Sequence, residues 1–523
     1  MRDEQDRTNL EQENRELREK VAQQDVKIAQ QDEVIAQLEQ KVAQLLKFVE
    51  QAEQHEALVG ELQQTVTQLT EDRQRIEATS KELQDRLSKD SHNSHLPPSS
   101  DRFGKKTKSL RKPSGKKPGG QTGHDGNTLY QVSNPDEIIV HAVEVCQSCQ
   151  QDLTEVSAQA IERRQEFDIP PKRVIVREHQ AEQKICPHCQ AVTRAPFPQG
   201  ITAPVQYSPA FAAIGVYLTM QQFLPYERAC ETIQDLIGPA MTVGTLKNMV
   251  ERCALNLEPI EEQIKEHLRK GDVLHHDETS LRVMGKRFWG HVASTDRLTH
   301  YAVHAKRGRE AINAIDILPK FTGKCIHDAL ATYFTYSNCS HGLCNEHHGR
   351  ELTYLAEAHK QTWAETLYTL LLDMNTAVKE AQEKGLKQLD PTEVADWKAQ
   401  YEAILQEGYL ANPNAPPDVS APAKRGKRKQ SAARNLLDRL SKHQDAVLRF
   451  LVDFSVPFTN NQAERDIRMV KVQQKISGGF RSLPGAQAFF RIRGYLSTLR
   501  KQGAHVLTAL ELALAGYPVS PTF

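Results

Sequence analysis

Long apolar runs are missing from this sequence. None approaches the roughly 18 residues that a membrane-spanning helix needs, so no transmembrane segment and no membrane partner are expected. The N-terminus is charged and lacks the apolar core of a signal peptide, which points to the cytoplasm. Proline is absent from residues 5–90, and Gly60 is the only glycine there. Acids are absent between Arg102 and Lys117, a stretch that holds eight Lys and Arg. Net charge is absent overall, since 67 Lys and Arg balance 67 Asp and Glu. That balance hides an asymmetry: residues 1–90 carry 13 Lys and Arg against 21 Asp and Glu, so the remainder carries +8. An acidic arm and a basic body imply an anionic partner for the body. Cysteine is too sparse for a disulfide framework. Four of the nine form two close pairs, which fits metal binding in a reducing cytosol.

The proline-free arm reads as one long helix over 5–90. Leu10, Leu17, Leu38 and Leu45 share one heptad position, and Val21, Ile28, Ile35, Val42 and Val49 share the other core position. From Val59 the seam continues through Leu62, Val66, Leu69, Ile76, Leu83 and Leu87, displaced by three residues, a stammer in the supercoil. Asn14, Gln24 and Gln31 occupy core positions, where polar groups can fix register and partner number. Such a seam predicts a coiled coil and self-association, most simply a dimer. A helix packed on its own body is the other reading.

Next comes "SHNSHLPPSSDRFGKKTKSLRKPSGKKPGGQTGHDG", which cannot bury a core. Lys105, Lys106, Arg111, Lys112, Lys116 and Lys117 make it a basic tether suited to a phosphate backbone. Cys146-x-x-Cys149 and Cys186-x-x-Cys189 follow, with 36 residues between them. Two such knuckles are the usual way to hold a structural zinc ion with four thiolates. His188 could replace one ligand. The alternating stretch between the knuckles predicts strands that carry the second one. From Ser208 to Glu258 the pattern is helical. "YERACETIQDLIG" and "TVGTLKNMVERCAL" form a pair around Gly238–Pro239, with Thr242 or Thr245 as a cap. The pair fits a DNA-reading helix-turn-helix or a plain helical hairpin.

"GDVLHHDETSLRV" is a strand by composition, with Asp277 facing one way and Glu278 the other. "KRFWGHVAST" and "RLTHYAVHA" are two more, turning at Asp296–Arg297. A helix, "GREAINAIDIL", precedes a fourth strand, "GKCIHDALA", with Asp328. Three strands, a helix and a fourth strand, with acids on the first and fourth, is the order of an RNase H-like sheet. There the two strands lie side by side and bring Asp277 next to Asp328. Adjacent carboxylates need a cation, and Mg²⁺ or Mn²⁺ takes carboxylates plus substrate phosphate oxygens. Two such ions roughly 4 Å apart drive phosphodiester displacement.

The third carboxylate comes from a late helix in this fold, and Glu464 is the candidate. It heads the stripe Arg468, Lys471, Lys475, spaced 4, 3 and 4 on one helical face, which would meet phosphates. Ala463, Ile467 and Val470 form an adjoining apolar face. Glu464 also fits a capping box with Asn461. His275, His276 and His327 could instead build a His/Asp zinc or iron site. "CNEHHGREL" sets Cys344 and His347 three apart, which fits a metal role or a packed Cys beside a positioning His. Cys230, Cys253, Cys325 and Cys339 read as core thiols.

These motifs resemble the insertion sequence 66 family of bacterial DDE transposases, over nearly the whole chain and in the same order. They are the coiled coil, "HNSHLPPSSD", the paired cysteines, "DET" at Asp277, "DALATY" with Asp328 and Tyr333, and "NNQAER" at Asn460–Arg465. The family's usual Gly and Tyr after the second acid are Ala329 and Leu330 here. The resemblance implies a catalytic triad of Asp277, Asp328 and Glu464, with His347 and Arg465 near the site. It implies hydrolysis at an element end, then attack of the freed 3′-hydroxyl on target DNA. DNA ends, target DNA, a second subunit and small companion proteins are the implied partners. An RNase H-like nuclease without strand transfer, or a noncatalytic DNA-binding remnant, are the alternatives.

The expected fold class is multidomain α+β. Residues 1–90 are the coiled coil, 91–130 the basic linker, 131–200 the zinc-binding domain and 201–268 the helical segment. Residues 269–350 and 456–523 form the RNase H-like α/β catalytic domain. A helical insertion spans 351–455, within the 136-residue interval between Asp328 and Glu464. Its loop carries Lys424, Arg425, Lys427, Arg428 and Lys429, a basic run suited to gripping DNA.

Overall fold

The computed structural model describes residues 15, 17–37, 41, 56–90, 92–94, 131–167, 174–413 and 430–523. The basic tether from Lys105 to Lys117 and the basic run from Lys424 to Lys429 lie outside the described residues.

Two helical runs, α1 (residues 17–37) and α2 (Glu56–Leu87), stand where one long helix was expected. Arg73 Nη1 bonds Asp32 Oδ1 at 2.9 Å, although the two are 41 residues apart in sequence. In a straight helix that separation would be about 60 Å, at 1.5 Å per residue. The chain therefore doubles back, and the heptad stripes meet within one chain. Ile35 is buried in this seam, and the buried side-chain oxygens of Gln24 and Gln31 have no hydrogen-bond partner among the described residues. The far end of α2 rests on the body of the chain: Tyr354 donates to the Asp85 carbonyl at 3.3 Å, and Lys89 Nζ lies 4.9 Å from the Tyr354 ring centre.

The two cysteine knuckles are built alike. The strand pair β1 (Gln183–Ile185) and β2 (Val192–Arg194) flanks the second, with Ile185 opposite Val192. A single bridge between Val145 and Asp152 flanks the first at the same offsets from its cysteine. Of the alternating stretch between the knuckles, Gln183–Ile185 alone is strand among the described residues.

The body opens with α3 (Pro209–Val216), α4 (Tyr226–Ile237), α5 (Val243–Asn256) and α6 (Glu258–Arg269). Thr242 caps α5 by accepting from the Thr245 N–H at 3.2 Å. A five-stranded sheet follows, made of β3 (Val273–Val283), β4 (Lys286–Ser294), β5 (Thr299–His304), β6 (Lys324–His327) and β7 (Ser340–Leu343). Its order is β5-β4-β3-β6-β7, with the first three antiparallel and β3, β6 and β7 parallel. The short α7 (Arg309–Ile315) crosses over between β5 and β6. It ends at Asp316, in a left-handed cap at φ 60°. That acid is held by Arg269 at 3.1 Å and Lys320 at 2.6 Å.

Helices α8 (Asn345–His359), α9 (Thr362–Glu383), α10 (Pro391–Ala411), α11 (Ala432–Lys442), α12 (Gln444–Val447) and α13 (Arg449–Val452) follow, with a core that also takes in Ile326 of β6 and Leu343 of β7. The chain returns as α14 (Asn461–Ser477), α15 (Leu483–Lys501) and α16 (Val506–Leu514). The apolar face of α14 packs as expected, with Ala463, Ile467 and Val470 buried. Lys501 of α15 donates to Asp466 of α14 and to the Thr295 carbonyl, each at 2.8 Å. The sheet comes so close to α15 that a Cβ on Gly290 would sit 2.8 Å from the Phe490 ring.

Candidate active site

Strand pairing sets the first two acids. Val273, Leu274 and His275 of β3 pair with Lys324, Cys325 and Ile326 of β6. Two residues beyond His275 and Ile326 stand Asp277 and Asp328, so continuing the register puts them opposite each other. Asp328 follows the last residue of β6, where the chain turns sharply. Ala329 has φ 67°, a left-handed conformation that costs a residue with a Cβ about 1–2 kcal/mol. That is a physical reason for glycine at this position. Glycine removes the clash but loses more backbone entropy on folding. Ala329→Gly should therefore stabilise the chain by a net of about 0.5–1 kcal/mol, read by thermal unfolding. A loss of stability would sink this account of the turn.

Asn460 sets the third acid. It stands at the N-cap of α14, yet its side chain makes no capping bond. It is fully buried and reaches back to β3. Its Oδ1 lies 2.8 Å from His275 Nδ1, and its Nδ2 donates to the His276 carbonyl at 2.7 Å. An amide oxygen only accepts, so His275 carries its proton on Nδ1. The Asn460 N–H also points at Cys344 Sγ, 3.2 Å away. This knot fixes the first turn of α14, and Glu464 stands on it. The capping-box reading does not describe Glu464, whose Oε1 lies 3.6 Å from both Cys344 Sγ and His347 Nε2.

The three acids share one electrostatic environment. Asp277 is pushed well above the usual carboxylate range, first by burial, then by repulsion from Glu278 and Asp328, and also from Glu464. Glu278, on the opposite face of β3, is neutralised separately. Arg307 Nη2 lies 2.6 Å from its carboxylate, and Tyr333 donates to it at 2.8 Å. Burial still raises the Glu278 pKa. Arg307 also sits 5.0 Å from the Trp289 ring centre and 4.0 Å from Asp328. The site roles of Glu278, Arg307 and Asn460 escaped the sequence reading. The acid next to Asp277 in "DET" was the one visible signal for this trio.

The histidines do not form the alternative zinc or iron site. His327 Nδ1 accepts from the Ala329 N–H at 3.1 Å, so its proton is on Nε2. That proton goes to His341 Nδ1 at 3.1 Å, and His341 Nε2 reaches the Tyr336 carbonyl at 3.1 Å. The relay is satisfied throughout and leaves His327 no lone pair for a cation. Cys325, His327 and His341 lie within 4.8 Å of one another, but the two imidazoles are joined in a hydrogen-bond chain.

The cationic stripe is split. Arg468 and Lys475 are exposed, and so is Arg465, which donates to Gln462 at 2.9 Å. Lys471 is turned inward and donates to the Ser280 carbonyl of β3 at 2.6 Å. Burial lowers its pKa. Lys471 ties α14 to the sheet, so the expectation that it meets phosphate is corrected.

In each knuckle, backbone N–H groups point at the first sulfur: those of Ser148 and Cys149 at Cys146, and those of His188 and Cys189 at Cys186. They lower both thiol pKa values, as a zinc-binding thiolate requires. The donor set fits a structural zinc ion. Among the described residues the four sulfurs do not gather within 4.8 Å, and neither do the three acids; Cys344, His347 and Glu464 do.

A family model described as "Transposase IS66 family" matches residues 204–488, which include Asp277, Asp328 and Glu464. A second, for the zinc-finger binding domain of transposase IS66, matches residues 144–190 and takes in all four knuckle cysteines. The chain belongs to the IS66 transposase family. Residues 3–129 match a family of unknown function, DUF6444. An uncharacterized protein, y4jO, of Sinorhizobium fredii (strain NBRC 101917 / NGR234) is 34% identical over 88 residues. That match covers 16% of this chain and spans 27% of the relative. Among the described residues no helix is long and apolar enough to cross a membrane.

Proposed function

We propose that the chain cuts and joins DNA at the ends of an insertion sequence, with Asp277, Asp328 and Glu464 as its catalytic carboxylates. The observation that carries this reading is the β3–β6 register, which sets Asp277 opposite Asp328, with Glu464 near enough to add to the burial and the Glu278 and Asp328 charges that disfavour the Asp277 carboxylate. Such a cost persists in a fold when the strained group has a task. The strand order, with Asp277 within β3 beside Asp328 at the end of the parallel β6, supports an RNase H-like domain.

Asp277, Asp328 and Glu464 would hold Mg²⁺ or Mn²⁺. When bound, such ions activate an attacking hydroxyl and stabilise the leaving oxygen of a phosphodiester. The chain's own contribution is placement. Asn460 holds the helix that bears Glu464. The His327–His341 relay holds the turn beside Asp328. Arg307 keeps Glu278 neutralised and presents a half-exposed guanidinium next to Asp328. Arg465, Arg468 and Lys475 offer exposed cations to phosphates on the same helix. His347 lies against Glu464 and would steady its carboxylate. The knuckle domain with zinc, the α4–α5 pair and the two basic segments would bind the terminal repeats and target DNA.

The test is cleavage and strand transfer in Mg²⁺ or Mn²⁺ on DNA carrying the element's own ends. Glu464→Gln keeps size and hydrogen bonding but loses the charge. We expect it to bind DNA like the parent and neither cut nor join. Full activity in Glu464→Gln would refute the triad.

A further inference from the structure

A second set of ligands shares Glu464. Cys344 Sγ and His347 Nε2 each lie 3.6 Å from Glu464 Oε1, and all three atoms fall within 4.8 Å of one another. Tetrahedral zinc, with bonds of about 2.3 Å to sulfur, 2.0–2.1 Å to nitrogen and 2.0–2.2 Å to oxygen, sets S···O and N···O edges of about 3.6 and 3.4 Å. The observed spacings match those edges before any ion enters.

Sequence spacing repeats a device already seen. Cys344-x-x-His347 has the spacing of the Cys-x-x-Cys knuckles, and the Asn460 N–H points at Cys344 Sγ from 3.2 Å. Cys344 is buried, with 1% of its surface exposed. A cation suits this buried set, because one thiolate and one carboxylate neutralise a divalent charge. Magnesium does not suit this set, since hard cations avoid sulfur.

We propose that Cys344, His347 and Glu464 form a second zinc-class metal site, distinct from the cysteine knuckles and joined to the acid cluster through Glu464. Three protein ligands leave a fourth position for water, the pattern of an open zinc site. Glu464 would offer Oε1 to this ion, with its other oxygen left for the acid cluster.

The experiment uses the full chain, stripped by chelator and refilled with Co²⁺, with bound metal counted after dialysis. The parent should hold two ions per chain, one in the four-cysteine site and one here. Cys344→Ser and His347→Asn should each hold one. In Cys344→Ser the near-ultraviolet thiolate–cobalt absorption should fall by about one fifth, for one Co–S bond in five. Cys325→Ser should keep both ions, since the His327 relay offers no ligand. One ion in the parent, two ions in either Cys344→Ser or His347→Asn, or one in Cys325→Ser would each overturn the proposal. Metal counting needs no DNA, so its failure is separable from failure of the triad, which Glu464→Gln tests in Mg²⁺.

Discussion

Asn460→Ala should lose about 3 kcal/mol of stability and nearly all cleavage activity. The side chain is fully buried, and it satisfies the His275 Nδ1–H and the His276 carbonyl at 2.8 and 2.7 Å. Deleting it strands one donor and one acceptor, each at about 1–3 kcal/mol. An ordinary N-cap replaced by alanine costs only about 1 kcal/mol. The size of the loss therefore separates a cross-link from a cap. Activity should fall through Glu464, one helical turn on, since a displacement of about 1 Å at a reacting group costs about 10²-fold. Asn460→Asp sharpens the test. It keeps an acceptor for His275 but turns a second oxygen toward the His276 carbonyl, so it should rescue neither stability nor cleavage. Urea unfolding of Asn460→Ala with a loss under about 1 kcal/mol would return Asn460 to the role of a cap.

The same residue marks where sequence reading stops. Asp277 and Asp328 were legible because strand order and pairing follow from local pattern and short connections. The apolar face of α14 was legible because helical periodicity is local. Asn460 was read only as a letter of the NNQAER motif because its partners lie 184 and 185 residues away. Lys471 looked like its neighbours on the stripe, and only the sheet beside it explains why it turns inward. The heptads gave a half-buried stripe on each helix but not the partner. Asp32 and Arg73 close that stripe within one chain. A periodic pattern says that a face is covered, and the chain's path decides what covers it.

Asp277→Asn should abolish cleavage and raise the stability of the metal-free protein. The carboxyl is disfavoured by burial and by Glu278, Asp328 and Glu464, so an amide of equal size removes the repulsion. The direction with pH follows from linkage. The folded pKa is raised above the ordinary value of 3.8, so the folded chain holds this proton over a range where the unfolded chain has lost it. The penalty is absent below that ordinary value, accumulates as pH rises and is complete above the folded pKa. The advantage of Asp277→Asn should therefore be larger at pH 8 than at pH 5, a shift of about 2–4 °C in unfolding temperature per kcal/mol. Added Mg²⁺ should stabilise the parent by binding the folded state and should do little for the variant. Cleavage should drop by about 10³-fold or more, as when one member of a catalytic unit is removed. Calorimetry with chelator and with Mg²⁺ at both pH values, beside the cleavage assay, reads all of this. A variant less stable than the metal-free parent at pH 8 would mean that Asp277 serves the fold and not the reaction.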